Sequence, residues 1–462
     1  MTVTHADSLP AAGPDMLSGE VRALLRLALP VALIAFVNMG MSVTDTVMVL
    51  ALFGAEALAA VAVGSDLQSI LFYLCAGVLG GIAPFYTAAV TRADAAGRRR
   101  LERTGWLLAG VLAAGAVPLV WTAPDWLRLC GLDPGLLEQG RGYTRSMALL
   151  LAPMLGVALY RTILTAAEKP KVFLKITLAM LPLNAVANYV LMMGAGPVPA
   201  LGPTGAGVSS LLVALASFAL LAVTARHAMP VRPAAGRDAG QEPGAADRPG
   251  TAAVLRVGIP IGITMTAETG IFLGATLYAA TLGAAEVAAH TLTLRMAGIV
   301  YAGSAALLQA AMVRMARAVA LEEPGTARAA LAGSLGLAVT GGVALLLLLG
   351  AGAQPLAAAF FGGSAAGMAA AQIAAGLLVL LGLIQFAGYP GLAASGLLRG
   401  CRDSRTPMIC MLIGYWGVGA PLGLFLCGMR GFGVTGLWIG LAAGAGATAI
   451  LTLLRLAQQR HR

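Results

Sequence analysis

Three carboxylates, Asp45, Asp66 and Glu268, stand inside long apolar runs of a chain that holds 20 acidic residues in all. An ionised carboxylate in hydrocarbon costs several kcal/mol unless it is protonated, paired or hydrated, so such groups are functional candidates by default. Asp45 has the richest polar company. Asn38 lies seven residues before it on the same helix face, and Asn184 and Asn188 share a face of another apolar run at i, i+4 spacing. A carboxylate set among amides and away from water can exchange a proton, or can ligate a bare sodium ion with neighbouring oxygens. Asp45, Asn184, Asn188 and Asn38 are therefore the candidate cation-coupling set. Polar bonding between helices is the competing, structural reading of the three amides.

Glu268, Asp66, Arg295, Gln385 and Tyr389 form a second group, candidates for lining a substrate cavity. Arg295 also sits within an apolar run, and an orphan cation there is costly. Glu268 is its expected partner: the two lie 15 residues before and 12 after the turn around Gly283. Asp66 can attract cationic substrates or simply be bonded within its helix. His290 fits a structural role better than a titrating one. Met39, Met41, Met48, Met192 and Met193 offer soft surface for varied apolar ligands, although packing is the commoner use of any single Met. The five cysteines form no CxxC pair, and neither a Walker A sequence nor HExxH or GxSxG occurs, so the expectation is a protein with no metal, no cofactor and no enzyme activity.

Holding these residues in place is a matter of membrane helices. A chain that is 59% hydrophobic and 11% charged cannot cover three soluble domains with charge. Strands with open edges are not tolerated in lipid, and no alternating barrel pattern is present. Twelve stretches are long enough to span, approximately 27–52, 58–90, 104–123, 143–166, 172–194, 206–225, 254–282, 286–312, 329–352, 367–396, 408–428 and 432–454. The predicted fold class is all-α, polytopic, with twelve transmembrane helices.

Lys and Arg concentrate in cytoplasmic loops. With the N-terminus inside, the inside segments hold 23 of the 30 basic residues, among them Arg314 and Arg399, and the outside ones only Arg128, Arg141, Arg145 and Arg430. Arg161, Lys175 and Arg295 fall within spans. Both termini are thus predicted to be cytoplasmic, and the net charge of +10 is a topology signal with no nucleic-acid partner implied. The first residues lack a cationic start and an apolar core, so the first span is the expected export signal.

The chain is also duplicated. LRLALPV from Leu25 matches LRVGIPI from Leu255, which puts Pro30 and Pro260 at equivalent depth, and FGAEALAAV from Phe53 matches LGAAEVAAH from Leu282. Pro153 precedes Pro170 as Pro390 precedes Pro407. The polar, Pro/Gly-rich stretch 226–250 reads as the join. The expected organisation is a tail over 1–19, a six-helix lobe over 20–225, the cytoplasmic linker 226–250, a second six-helix lobe over 251–456 and a tail over 457–462. Six spans per lobe make the repeats parallel, an arrangement suited to alternating access.

MSVTDTVMV (41–49), YRTILTAAEKP (160–170), LPLNAVANYVL (181–191), LGPTGAGVSS (201–210), AAEVAAHTLTL (284–294) and LLRGCRDSRTP (397–407) together resemble the multidrug and toxic compound extrusion family. The likeness runs from about residue 20 to 455 and is nearest to the bacterial NorM-like and DinF-like branches. It implies a cation-coupled antiporter in the bacterial inner membrane that exports small amphipathic compounds, cations among them, working as a monomer within the bilayer. The resemblance makes Asp45 the coupling carboxylate. It also implies an acid in span 10 to partner Glu268, and LLGLIQFAGYPGLAASG has none, which favours H⁺ over Na⁺ as the coupling ion. A lipid-linked precursor flippase or a dedicated exporter of one metabolite are the alternatives.

Overall fold

The computed structural model describes residues 14–228, 250–361, 365–429 and 431–460. Twelve helices among them are long and apolar enough to cross a membrane: α1 Pro14–Gly54, α2 Glu56–Thr91, α3 Ala95–Trp121, α4 Arg141–Ala166, α5 Pro170–Met193, α6 Thr204–Ala225, α7 Thr251–Ala279, α8 Ala284–Leu321, α9 Pro324–Phe361, α10 Gly367–Gly400, α11 Arg405–Met429 and α12 Gly433–Gln459. The predicted all-α class and the count of twelve hold. Most of the linker, including Arg232, Arg237 and Arg248, lies outside the described residues, as do Arg430 and the outer parts of both predicted tails.

Glycine sets two of the tightest breaks. Gly54 (φ 83°, ψ −179°) separates α1 from α2, and Gly283 (φ 135°) precedes α8. Both conformations strain any residue with a Cβ, so the repeat-related glycines turn the chain at equivalent places. Elsewhere the helices run longer than the apolar stretches. Helix α8 continues to Leu321 and α10 to Gly400. Arg314 and Arg399, expected beyond the ends of their spans, lie within the longer helices and are only 9% and 7% exposed. The apolar pattern ends where lipid ends, but a helix can continue wherever protein covers it.

The chain folds as two compact units, Leu33–Gly262 and Met1–Ala32 with Ile263–Arg462. Their boundaries differ from the sequence halves. Each unit contains the start of a helix whose remainder belongs to the other, and the crossings fall two residues after Pro30 and Pro260. In the first unit, α2 and the start of α7 pack backbone to backbone. A Cβ on Gly258 would come 2.1 Å from the Val78 carbonyl oxygen, and one on Gly77 would come 2.5 Å from Gly262 Cα. Small residues allow such approach, and dispersion between the backbones then holds helices that gain little from leaving lipid.

In the second unit the start of α1 lies on α8, with Leu24 and Leu27 buried against Ala310 and Val313. One turn back toward the start of α1, Glu20 accepts from Arg314 Nε and Nη2, each at 2.6 Å, and the pair is almost wholly buried. The same unit contains a π-helical stretch in α11, Leu412–Gly419, whose Gly414 and Gly419 meet Gly440 and Gly444 of α12.

Candidate functional site

Asp45 occupies α1 of the first unit, flanked by Thr44 and Thr46, whose hydroxyls donate to their own helix at Gly40 and Ser42. Those threonines leave the carboxylate to other helices. From α5, Asn188 Nδ2 donates to Asp45 Oδ1 at 2.5 Å, and from α6, Ser210 Oγ donates to Asp45 Oδ2 at 3.2 Å. Asn188 Nδ2 also faces Asn184 Oδ1 at 3.5 Å, and Ser209 Oγ faces the Asn184 carbonyl oxygen at 3.5 Å. Asn184 and Asn188 are 2% and 0% exposed. A charge-assisted hydrogen bond is stronger than a neutral one, so three helices are tied together through one carboxylate.

The cluster is unevenly matched. Asn188 Oδ1 is buried and has no partner among the described residues. A buried acceptor left unmade costs about 1–3 kcal/mol, and such an imbalance is expected where a group must serve two states. No grouping of three or more His, Cys, Asp or Glu suited to a metal occurs among the described residues.

Of the four residues expected to couple, the structure brings together Asp45, Asn184 and Asn188. Asn38 is exposed and makes no described hydrogen bond. Seven residues of helix separate it from Asp45 by about 10 Å along the axis, too far for a shared ligand although the face is the same. Ser210, and behind it Ser209, were not singled out by their sequence. Their only signal was their place at the end of LGPTGAGVSS. Tyr143, 7% exposed, stands within electrostatic reach of both Asp45 and Asp66, and Asp66 itself is exposed on α2.

The second unit holds Glu268, and its partner is not Arg295. Glu268 Oε2 accepts from Tyr301 Oη of α8 at 3.0 Å, and the cation whose field reaches it is Arg399. Arg295 is exposed and forms no ion pair among the described residues. Counting from Gly283 matched depth but ignored rotation: Arg295 and Tyr301 are six residues apart, so their side chains point about 120° apart around α8. Trp416, in the π-helical stretch, donates from Nε1 to the Ala267 carbonyl oxygen at 3.1 Å, beside this carboxylate.

The remaining cavity candidates are packed away. Gln385 is 7% exposed, with its backbone against Gly342 of α9. Tyr389 fills the space left by Gly341, and its hydroxyl lies over Gly303. Met41 packs with Ile34 and Leu164, Met48 and Met192 join a different core, and Met193 is exposed, so the methionines form no common wall. His290 is fully buried: Nδ1 accepts from Trp438 Nε1 at 3.1 Å, and Nε2 meets Thr276 Oγ1 at 3.0 Å. Both ring nitrogens are engaged, the mark of a structural histidine.

The MatE family model matches residues 30–190 and 260–425. The chain is 32% identical to the multidrug resistance protein NorM of Burkholderia vietnamiensis over 96% of this chain and 95% of that one. It is 30% identical to a probable multidrug resistance protein NorM of Bradyrhizobium diazoefficiens over 98% and 97%. Among solved structures, a MOP superfamily transporter from Pyrococcus furiosus superposes with a TM-score of 0.81 at 18% identity, covering 98% of this chain and 99% of that one. A Vibrio cholerae MATE transporter gives a TM-score of 0.80 at 16% identity, covering 96% and 98%.

Proposed function

The chain belongs to the MatE family of multidrug and toxic compound extrusion transporters, and we propose that it is a proton-coupled antiporter in which Asp45 carries the coupling step. Its cargo is small amphipathic compounds, cations among them, moved outward by alternating access. The convergence of Asn188 and Ser210 on one intramembrane carboxylate carries this reading.

Both Asp45 oxygens already accept hydrogen bonds from neutral donors, so the geometry favours a proton over sodium. A sodium ion would have to displace those donors, whereas a proton needs only one amide to turn over. When Oδ1 takes a proton it becomes a donor. Asn188 then rotates by about 180°, and its unpartnered oxygen accepts the new O–H. Ionised Asp45 thus binds α5 and α6 through charge, and protonated Asp45 holds them through weaker neutral bonds. Loosening this tie lets the helices rearrange around the cargo, and proton loss restores it.

Everted vesicles loaded by a proton or a sodium gradient test this with ethidium as cargo. Wild-type accumulation is expected to collapse with a protonophore and to ignore sodium. Asp45→Asn is expected to insert normally and to transport at background. Wild-type rates from Asp45→Asn would remove Asp45 from the mechanism, and sodium-driven, protonophore-resistant flux would reverse the choice of ion.

A further inference from the structure

We propose that the Arg99–Arg103 end of α3 is a binding site for the phosphate of an anionic phospholipid, whose acyl chains lie along the same helix face. Arg99, Arg100 and Arg103 are exposed, and none makes a hydrogen bond or ion pair among the described residues. With Ala96 and Gly97 they line a half-open surface groove of about 370 Å³. The nearby acids are occupied elsewhere. Asp94 caps the helix by accepting from Gly97 N at 2.8 Å, and Glu102 Oε1 accepts from Tyr86 Oη at 2.7 Å. The first turn's amides are partly served by Asp94, so the guanidinium groups supply the charge.

What the three arginines stand over selects the ligand. Ala96, Arg100, Arg103, Leu107, Val111 and Ala114 recur at three- and four-residue spacing, hence on one face of α3, and all are exposed. Leu107 and Val111 are 61% and 62% exposed. Arg103 is about 6 Å above Leu107 along the axis, so the guanidinium cluster meets a lipid-facing apolar stripe without interruption. A free anion would use the first feature and leave the second idle. A zwitterionic headgroup brings its own cation against the arginines. An anionic phospholipid satisfies both: guanidinium forks match phosphate oxygens in pairs, and the chains cover the stripe. A basic side chain near an anionic leaflet favours it about fivefold, so three together predict a preference on the order of 100-fold over a zwitterionic lipid.

The test uses the full chain in phosphatidylcholine nanodiscs doped with phosphatidylglycerol, and native mass spectrometry to count the lipids retained. Wild type is expected to keep phosphatidylglycerol selectively, and the triple variant Arg99→Gln, Arg100→Gln, Arg103→Gln to lose that selectivity. The triple Lys variant retains the charges that orient insertion and loses the paired geometry, so it is expected to bind phosphatidylglycerol several-fold more weakly than wild type. If the Gln variant does not insert, the Lys variant decides: undiminished binding overturns the proposal. Retention by the Gln variant equal to wild type also overturns it, as does displacement of phosphatidylglycerol by equimolar inorganic phosphate, which would assign the site to a soluble anion.

Discussion

Asn188 matters because one amide nitrogen serves two acceptors while its oxygen serves none. Asn188→Leu removes the donor to Asp45 and the acceptor that its proton would use, so transport should fall to background under either gradient in the vesicle assay. Ser210→Ala removes a longer bond from a half-buried hydroxyl, and a loss of only about fivefold in rate is expected, equivalent to a net hydrogen bond near 1 kcal/mol. His290 makes the opposite prediction. His290→Phe orphans the Trp438 indole and should cost about 1–3 kcal/mol, read as a lower thermal midpoint, with flux per folded molecule and its pH profile unchanged. Asp45 and its two amides were legible because polar groups stand out in apolar runs. Ser210 was not, since hydroxyls are common in membrane helices and bond to their own backbone, as Thr44 and Thr46 do. The Glu268–Arg295 pairing failed for another reason: sequence counting gives depth along a helix and leaves its rotation open.

The start of α1 is pinned by the Glu20–Arg314 pair, and the geometry is that of a buried ion pair with both charges removed from water. Losing one partner leaves an orphan charge at about 3–5 kcal/mol, whereas losing both costs much less. Glu20→Ala and Arg314→Ala should each lower the thermal midpoint of purified protein, and Glu20→Met with Arg314→Met should recover most of it. A double variant as unstable as the summed singles would show that the pair is not the source of the stability. Hydropathy located all twelve helices yet truncated α8 and α10, because it cannot see protein covering a charged turn. The π-helical stretch of α11 was equally invisible. Its cause is glycine-to-glycine packing on α12, a contact between residues about 25 apart in sequence, and no local pattern announces it.

Orientation can be tested at two exposed thiols. Cys130 lies on the α3–α4 connection and Cys401 between α10 and α11, while Cys75, Cys410 and Cys427 are buried. Desolvation of the Cys401 sulfur, with the charge of Asp403 adding to it, pushes that thiol up to about 11. Only the thiolate reacts quickly. In intact cells a membrane-impermeant maleimide should therefore label Cys130 alone, and Cys401 should respond only after permeabilisation and faster as pH rises. Labelling of Cys401 in intact cells, with Cys130 protected, would invert the predicted topology.

The duplication was readable in the sequence, but the two crossings beyond Pro30 and Pro260 were not, because they are defined by which distant helix each segment packs on. Those crossings bear on what each half of the chain can do alone. Each half of the chain taken alone lacks several helical turns of its compact unit, Thr251–Gly262 for the first and the start of α1 up to Ala32 for the second. Neither unit is complete without a segment from the other half of the chain. Residues 1–228 and 250–462 expressed as separate chains should consequently be degraded alone and accumulate together, as measured by membrane-fraction immunoblot. Stable accumulation of one fragment by itself would show that this half is complete without the other.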